Sequence, residues 1–247
     1  MNDRIKGFQA CCDLNMPGGS DYMGRSAMEA VKNGKLIETD VDARVERILR
    51  LVEKARDAKP AEVDWDAHHR LAQKIAEQGA VLLKNEDGIL PLRMTDMVLI
   101  GHMAKEMRYQ GSGSSHINPT KLVNLTDAMP GVPYTPCCDA QGNVTEDALR
   151  KAAEAAKDHK IAIVVAGLPD AYESEALDRE HMGLPEGHNR MIEAVAAANP
   201  NTIVVLLGGS AMELPWADKV KAILYMGLPG QAGGQAAANL LTGKANP

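Results

Sequence analysis

The chain has 247 residues, 45% hydrophobic and 24% charged, which is the balance of a globular protein with room for one large domain or a medium domain and a smaller companion. A net charge of −6, with basic residues scattered among acids, excludes an electrostatic footprint for nucleic acid or an anionic membrane, and 3% aromatics exclude a base-stacking platform. No stretch approaches the roughly 20 apolar residues of a membrane span, so neither nucleic acid nor a membrane is expected as a partner.

In chain order, residues 9–17 read as a short buried strand running into a Pro-Gly-Gly turn. Ser20 is placed to cap a helix over 21–33, which Gly34 stops. Thr39 with Asp42 has capping-box spacing. The helix after it carries Val41, Val45, Ile48, Leu49 and Val52 on one stripe, at steps of three and four, and needs something to pack against. Residues 57–65 are polar, contain Pro60 and lack a period, as a linker does.

From Asp66 onward, helices and apolar runs alternate. A helix over 67–78 precedes an apolar run at 80–83 and a turn at 85–92, and 97–101 is a strand. A glycine-serine loop occupies 111–115, followed by a short helix over 123–129. Thr145 caps a helix to about His159, and strands follow at 161–166, 202–207 and 222–225, with helices over 187–198 and 230–241. Continuous apolar strands imply a sheet covered on both faces, and helices between them imply mostly parallel order. The expected fold class is α/β, a three-layer α/β/α sandwich. Its chemistry is expected beyond the carboxyl ends of the strands.

Several motifs have bland readings. Gly111 to Ser115 has no following lysine and does not join a strand directly to a helix, so it reads as a loop bordering the site, with Arg108 and His116 nearby, rather than a phosphate loop. His68 and His69 lack partners at metal spacing. Gly208-Gly209-Ser210 reads as a tight turn after a strand. The adjacent pairs Cys11–Cys12 and Cys137–Cys138 lack zinc or redox spacing and read as small buried thiols of a reducing, cytoplasmic compartment.

The loop after 161–166 is different. It holds Asp170, Glu173, Glu175, Asp178 and Glu180 against one cation, Arg179. Crowded carboxylates oppose one another's ionisation, so at least one is expected to have a raised pKa. A carboxylic acid kept protonated near neutrality is what a glycosidase uses on a departing oxygen.

Here YESEALDREHMGLPE and NRMIEAVAAANPNTIVVLLGGSAMELPW resemble the second domain of family 3 glycoside hydrolases of the β-glucosidase type. HHRLAQKIAEQGAVLLKNEDGILPL, RYQGSGSSHINP and LPGQAGGQAAANLLTGKANP extend the resemblance, and NDRIKGFQACCDLNMP is similar to a stretch near the end of the family's (β/α) barrel. The resemblance implies three parts: a barrel remnant over 1–56, a linker over 57–65, and a C-terminally clipped α/β sandwich over 66–247.

It also implies a retaining exo-glycosidase that acts on β-glucosides or β-xylosides without a cofactor or metal. Glu175 falls on the family's acid/base position, with Glu173 as runner-up, and the usual glycine and aromatic after it are Ala176 and Leu177. Arg108 and His116 are expected to border the sugar site, Asp178 and Arg179 to position the loop, and Asp13 either to touch sugar or to hold its turn. The nucleophile motif of the family would stand before Met1, so the attacking carboxylate is expected from a missing barrel domain. The stripe Val41 to Val52 is then expected to be exposed, with a tendency to self-associate. The competing expectation is a non-catalytic carbohydrate-binding or interaction module on the same fold.

Overall fold

The structure, a computed structural model, describes residues 3–16, 18, 21–93 and 95–247. It divides into two compact units, Met1–Val63 and Asp64–Pro247.

The first unit is helical: α1 (Arg4–Gln9), α2 (Asp21–Lys32) and α3 (Glu38–Arg56). The strand expected over 9–17 does not form. Asp3 accepts the Lys6 amide and starts α1, and the helix ends where Cys11 takes a φ of 63°. An apolar run without a neighbouring strand has no ladder to join, and here Leu14 and Met16 are exposed. Cys11 is also exposed, and Cys12 only half-buried, so the buried-thiol reading holds for Cys137 and Cys138 alone. Gly34, at φ 69°, follows α2 as expected, whereas Ser20 lies outside the described residues. Thr39 is not a cap, because the N-cap of α3 is Ile37, two residues earlier, which makes no side-chain cap bond. Val45, Leu49 and Val52 on α3 are each about half exposed or more.

The second unit opens with α4 (Trp65–Gly79), capped by the Asp64 carboxylate on the Ala67 amide at 2.8 Å. The elements that follow are β1 (Val81–Asn85), β2 (Met97–Ile100), α5 (Leu125–Ala128), β3 (Tyr134–Thr135), α6 (Glu146–Lys157), β4 (Ile161–Gly167), α7 (Glu186–Ala198), β5 (Thr202–Leu207), β6 (Ala222–Gly227) and α8 (Gly233–Thr242). One six-stranded sheet runs β1-β6-β5-β4-β2-β3, parallel except for β1, which pairs antiparallel with β6.

Alternation along β4 shows why the sheet needs two covers. Ile161, Ile163 and Val165 pack with residues of α4, α5 and α8, while Ala162, Val164 and Ala166 pack with residues of α6 and α7. Every residue of β4 and β5 is buried, as central parallel strands require. Thr145 caps α6 through the Ala148 amide.

His188, one turn into α7, is buried against the end of β4, its Nδ1 2.9 Å from the Gly167 carbonyl oxygen. Desolvation lowers its pKa to about 4, with the nearby His102 adding to the effect and the Gly167 bond opposing it. Its ordinary value is 6.5, so between the two the unfolded chain binds a proton that the folded chain does not. Stability is therefore full above pH 6.5 and falls by about 3 kcal/mol as pH drops toward 4. Chemical denaturation across that window should show this slope, and His188→Gln should flatten it.

Candidate active site

The site grows from the carboxyl ends of β4 and β5. After β4, residues 168–182 leave the sheet, and Arg108 holds the start of that loop in place. Its guanidinium donates to the Leu168 carbonyl at 2.7 Å and the Glu173 carbonyl at 3.0 Å, and pairs with Asp170 at 3.2 Å and with the Glu173 carboxylate. Arg108 is buried, with 5% of its side chain exposed, and the Glu173 side chain is 14% exposed. From β5, the Gly209 amide donates to the Glu173 carboxylate at 2.8 Å, and the Ser210 hydroxyl donates to its other oxygen. Burial alone would raise the Glu173 carboxyl, but the Gly209 amide, the Ser210 hydroxyl and the Arg108 charge outweigh it and hold the group below its ordinary value.

Two residues on, the chain turns. The Leu177 amide donates to the Ser174 carbonyl at 3.2 Å, closing a four-residue turn with Glu175 and Ala176 at its centre. Ala176 takes a φ of 67°, a left-handed value that glycine adopts freely and alanine does not. The turn presents the exposed Glu175 carboxylate to a crevice of about 580 Å³. A single contact steadies it: the Ser114 amide donates to Oε2 at 2.7 Å. The Ser114 hydroxyl and amide lower the Glu175 pKa, against a small opposing effect of desolvation. Glu173 and Glu175 both shift downward, so neither has the raised carboxyl pKa expected from acidic crowding. The donors that reverse it come from residues 114, 209 and 210, far away in sequence.

Gly113 allows this approach. At φ 107° it lies against Glu175, and a Cβ there would meet the Glu175 Cβ at 2.5 Å. Arg179 ties the far side of the loop to β5, donating to the Ser210 hydroxyl and the Ala211 carbonyl, each at 2.8 Å. Asp178 is exposed on the same crevice. Glu175, Asp178, Arg179 and Arg108 are therefore brought together as expected. His116 is not among them, and lines a second cavity on the other side of Arg108. Asp13 lies in the first unit, where it pairs with Arg44 at 3.0 Å and Arg47 at 2.9 Å. Ser114 lies in the 111–115 loop expected to border the site, whereas Gly209 and Ser210 were not foreseen as partners. The signal for the last two was their place after β5, the strand beside β4. Among the described residues no cluster of His, Cys, Asp or Glu could hold a metal ion.

The fold is a mostly parallel α/β sandwich with a carboxylate loop over its strand ends, and comparison with known proteins gives its family. The model of the glycosyl hydrolase family 3 C-terminal domain matches residues 80–247, and the chain belongs to that family. It is 45% identical over its full length to thermostable beta-glucosidase B of Acetivibrio thermocellus, covering 34% of that protein. It is 35% identical to an exo-alpha-(1->6)-L-arabinopyranosidase of Bifidobacterium breve, again over its full length and 35% of that relative. The crystal structure of a GH3 beta-glucosidase from Bifidobacterium adolescentis superposes with a TM-score of 0.87 at 35% identity, over 99% of this chain and 37% of that one. The chain thus spans about a third of the length of the curated relatives it matches.

The strained turn makes a measurable prediction. Ala176→Gly should relieve the left-handed alanine and raise the unfolding midpoint of the second unit by about 1–3 °C, glycine's unfolded-state entropy offsetting part of the gain. Gly113→Ala should lower that midpoint and move the Glu175 titration, followed by carboxyl ¹³C NMR, up toward its ordinary value of 4.5. An unchanged Glu175 titration in Gly113→Ala would contradict the contact.

Proposed function

We propose that the chain supplies the general acid/base, Glu175, of a retaining β-glycosidase that removes terminal β-linked glucose or xylose, and that the attacking carboxylate comes from a barrel domain outside these residues. On this reading residues 1–56 are the end of that barrel, 57–65 the linker, and 66–247 the second domain. The single observation that carries the assignment is the division of labour between two neighbouring glutamates. Glu173 is committed to Arg108, Gly209 and Ser210 and has no oxygen to offer. Glu175 stands exposed on the crevice with one steadying contact.

A proton donor needs a raised pKa, and Glu175 alone in water has a lowered one. Docking of a barrel would change both causes that matter, excluding water and bringing a second carboxylate to about 5–5.5 Å, the spacing of retaining enzymes. Each raises the Glu175 pKa. The catalytic cycle then runs in two steps. The barrel carboxylate attacks the anomeric carbon as Glu175 protonates the leaving oxygen, and the resulting carboxylate of Glu175 takes a proton from the water that releases the sugar. The apolar face of α3 is read as barrel surface. Its exposure in the first unit is expected to drive self-association of the chain by itself.

The test is a chimera in which this chain replaces the matching third of thermostable beta-glucosidase B. The chimera should hydrolyse an aryl β-glucoside, and Glu175→Gln should reduce the rate by about 10²–10⁴-fold without changing the unfolding midpoint. Glu173→Gln should instead lower stability by about 3 kcal/mol, because Arg108 loses its buried charge partner and keeps only the exposed Asp170. The 247-residue chain by itself should show no turnover. Glucoside hydrolysis by that chain, or an unimpaired Glu175→Gln chimera, would refute the reading.

A further inference from the structure

The order of the strands marks a second place for a ligand. From β2 the chain moves outward to β3, then returns on the other side of β2 to form β4 and continues to β5 and β6. The direction of winding therefore reverses between β2 and β4. In open parallel sheets the crevice beyond the carboxyl ends at such a reversal is the common ligand position. The Glu175 crevice lies one strand away, over β4 and β5.

At the reversal there is a cavity of about 540 Å³, within the roughly 300–1,000 Å³ typical of small-molecule sites. His102 and Glu106, which follow β2, form one side, and Asp170, which follows β4, forms another. Met103, Met107 and Leu122 supply apolar surface, and Arg108 is the wall shared with the Glu175 crevice.

The charges select the ligand. The Arg108 guanidinium is engaged by Glu173 and Asp170, so it offers no open cation to an anion. Glu106, 3.5 Å from His102, and Asp170 both have more than two-thirds of their side chains exposed, which makes the rim acidic. Ionised carboxylates accept hydrogen bonds and donate none, so they suit a ligand rich in hydroxyl donors and repel phosphates. Leu122, 40% exposed, suits the C–H face of a ring, and the buried Met103 and Met107 line the same cavity. We propose that the crevice between β2 and β4 is a binding site for a neutral saccharide, separate from the Glu175 crevice and independent of turnover.

The experiment is a titration of the chain, labelled with ¹³C at its methionine methyls, with glucose, xylose and cellobiose. The Met103 and Met107 signals should shift and saturate for at least one sugar, with a Kd of about 1–10 mM. Ala140→Trp, at an exposed position lining the cavity, should weaken that binding by about tenfold or more. Glu106→Leu, also at an exposed position, should do the same through loss of a charged acceptor. The proposal is overturned if none of the three sugars shifts these methyls in the folded chain, if the shifts survive both substitutions, or if glucose 6-phosphate binds more tightly than glucose. Binding is read here without hydrolysis, so failure would leave the role of Glu175 standing, and a catalytically irrelevant Glu175 would leave this site standing.

Discussion

The buried pairing of Arg108 with Glu173 is the constraint from which the rest of the site follows. A guanidinium taken out of water is costly unless it is paired, and here one arginine donates to two backbone carbonyls and the Glu173 carboxylate and forms an ion pair with Asp170, all of a single loop. That match fixes where the loop leaves β4. Glu173 in turn is fixed to the end of β5 through Gly209 and Ser210, so the loop is fastened to two adjacent strands. Only with its base held this way can the turn at 174–177 carry an exposed glutamate in a defined position. The same arginine separates the two crevices at the carboxyl edge of the sheet.

The turn itself stores a compromise. A left-handed residue is needed directly after Glu175, and alanine occupies the place where glycine would sit without strain. Across from it Gly113 supplies the close approach that a side chain would block. Backbone conformation, more than any special side chain, thus sets where the Glu175 carboxylate lies. The Ser114 amide then steadies it.

Much of the sandwich was legible in the sequence because a parallel sheet writes itself as continuous apolar runs. The stretches at 161–166 and 202–207 could be read as strands, and the helices between them by period and by caps such as Thr145. Tyr134–Thr135 was not legible, since two residues carry no period and β3 exists only through its pairing with β2. The run before Asp13 was misread as a strand for the opposite reason: it is apolar, but no neighbouring strand is there to pair with it. In the site, the residue types were legible and their partnerships were not. A sequence separation of 65 between Arg108 and Glu173 hides the ion pair that decides which glutamate is available. The downward shift of both glutamates was hidden too, because the amides of Ser114 and Gly209, the hydroxyls of Ser114 and Ser210 and the Arg108 charge, all far away in sequence, produce it.

Leaving-group dependence tests the central claim most directly, that Glu175 and not Glu173 moves the proton. In an active barrel-containing chimera, the unaltered protein should hydrolyse β-glucosides of acidic and of weakly acidic phenols at similar rates. With Glu175→Ala, substrates with acidic phenols should retain most of their glycosylation rate, whereas those with weakly acidic phenols should lose about 10²–10⁴-fold. A flat dependence in Glu175→Ala, or the steep dependence appearing in Glu173→Ala instead, would contradict the account.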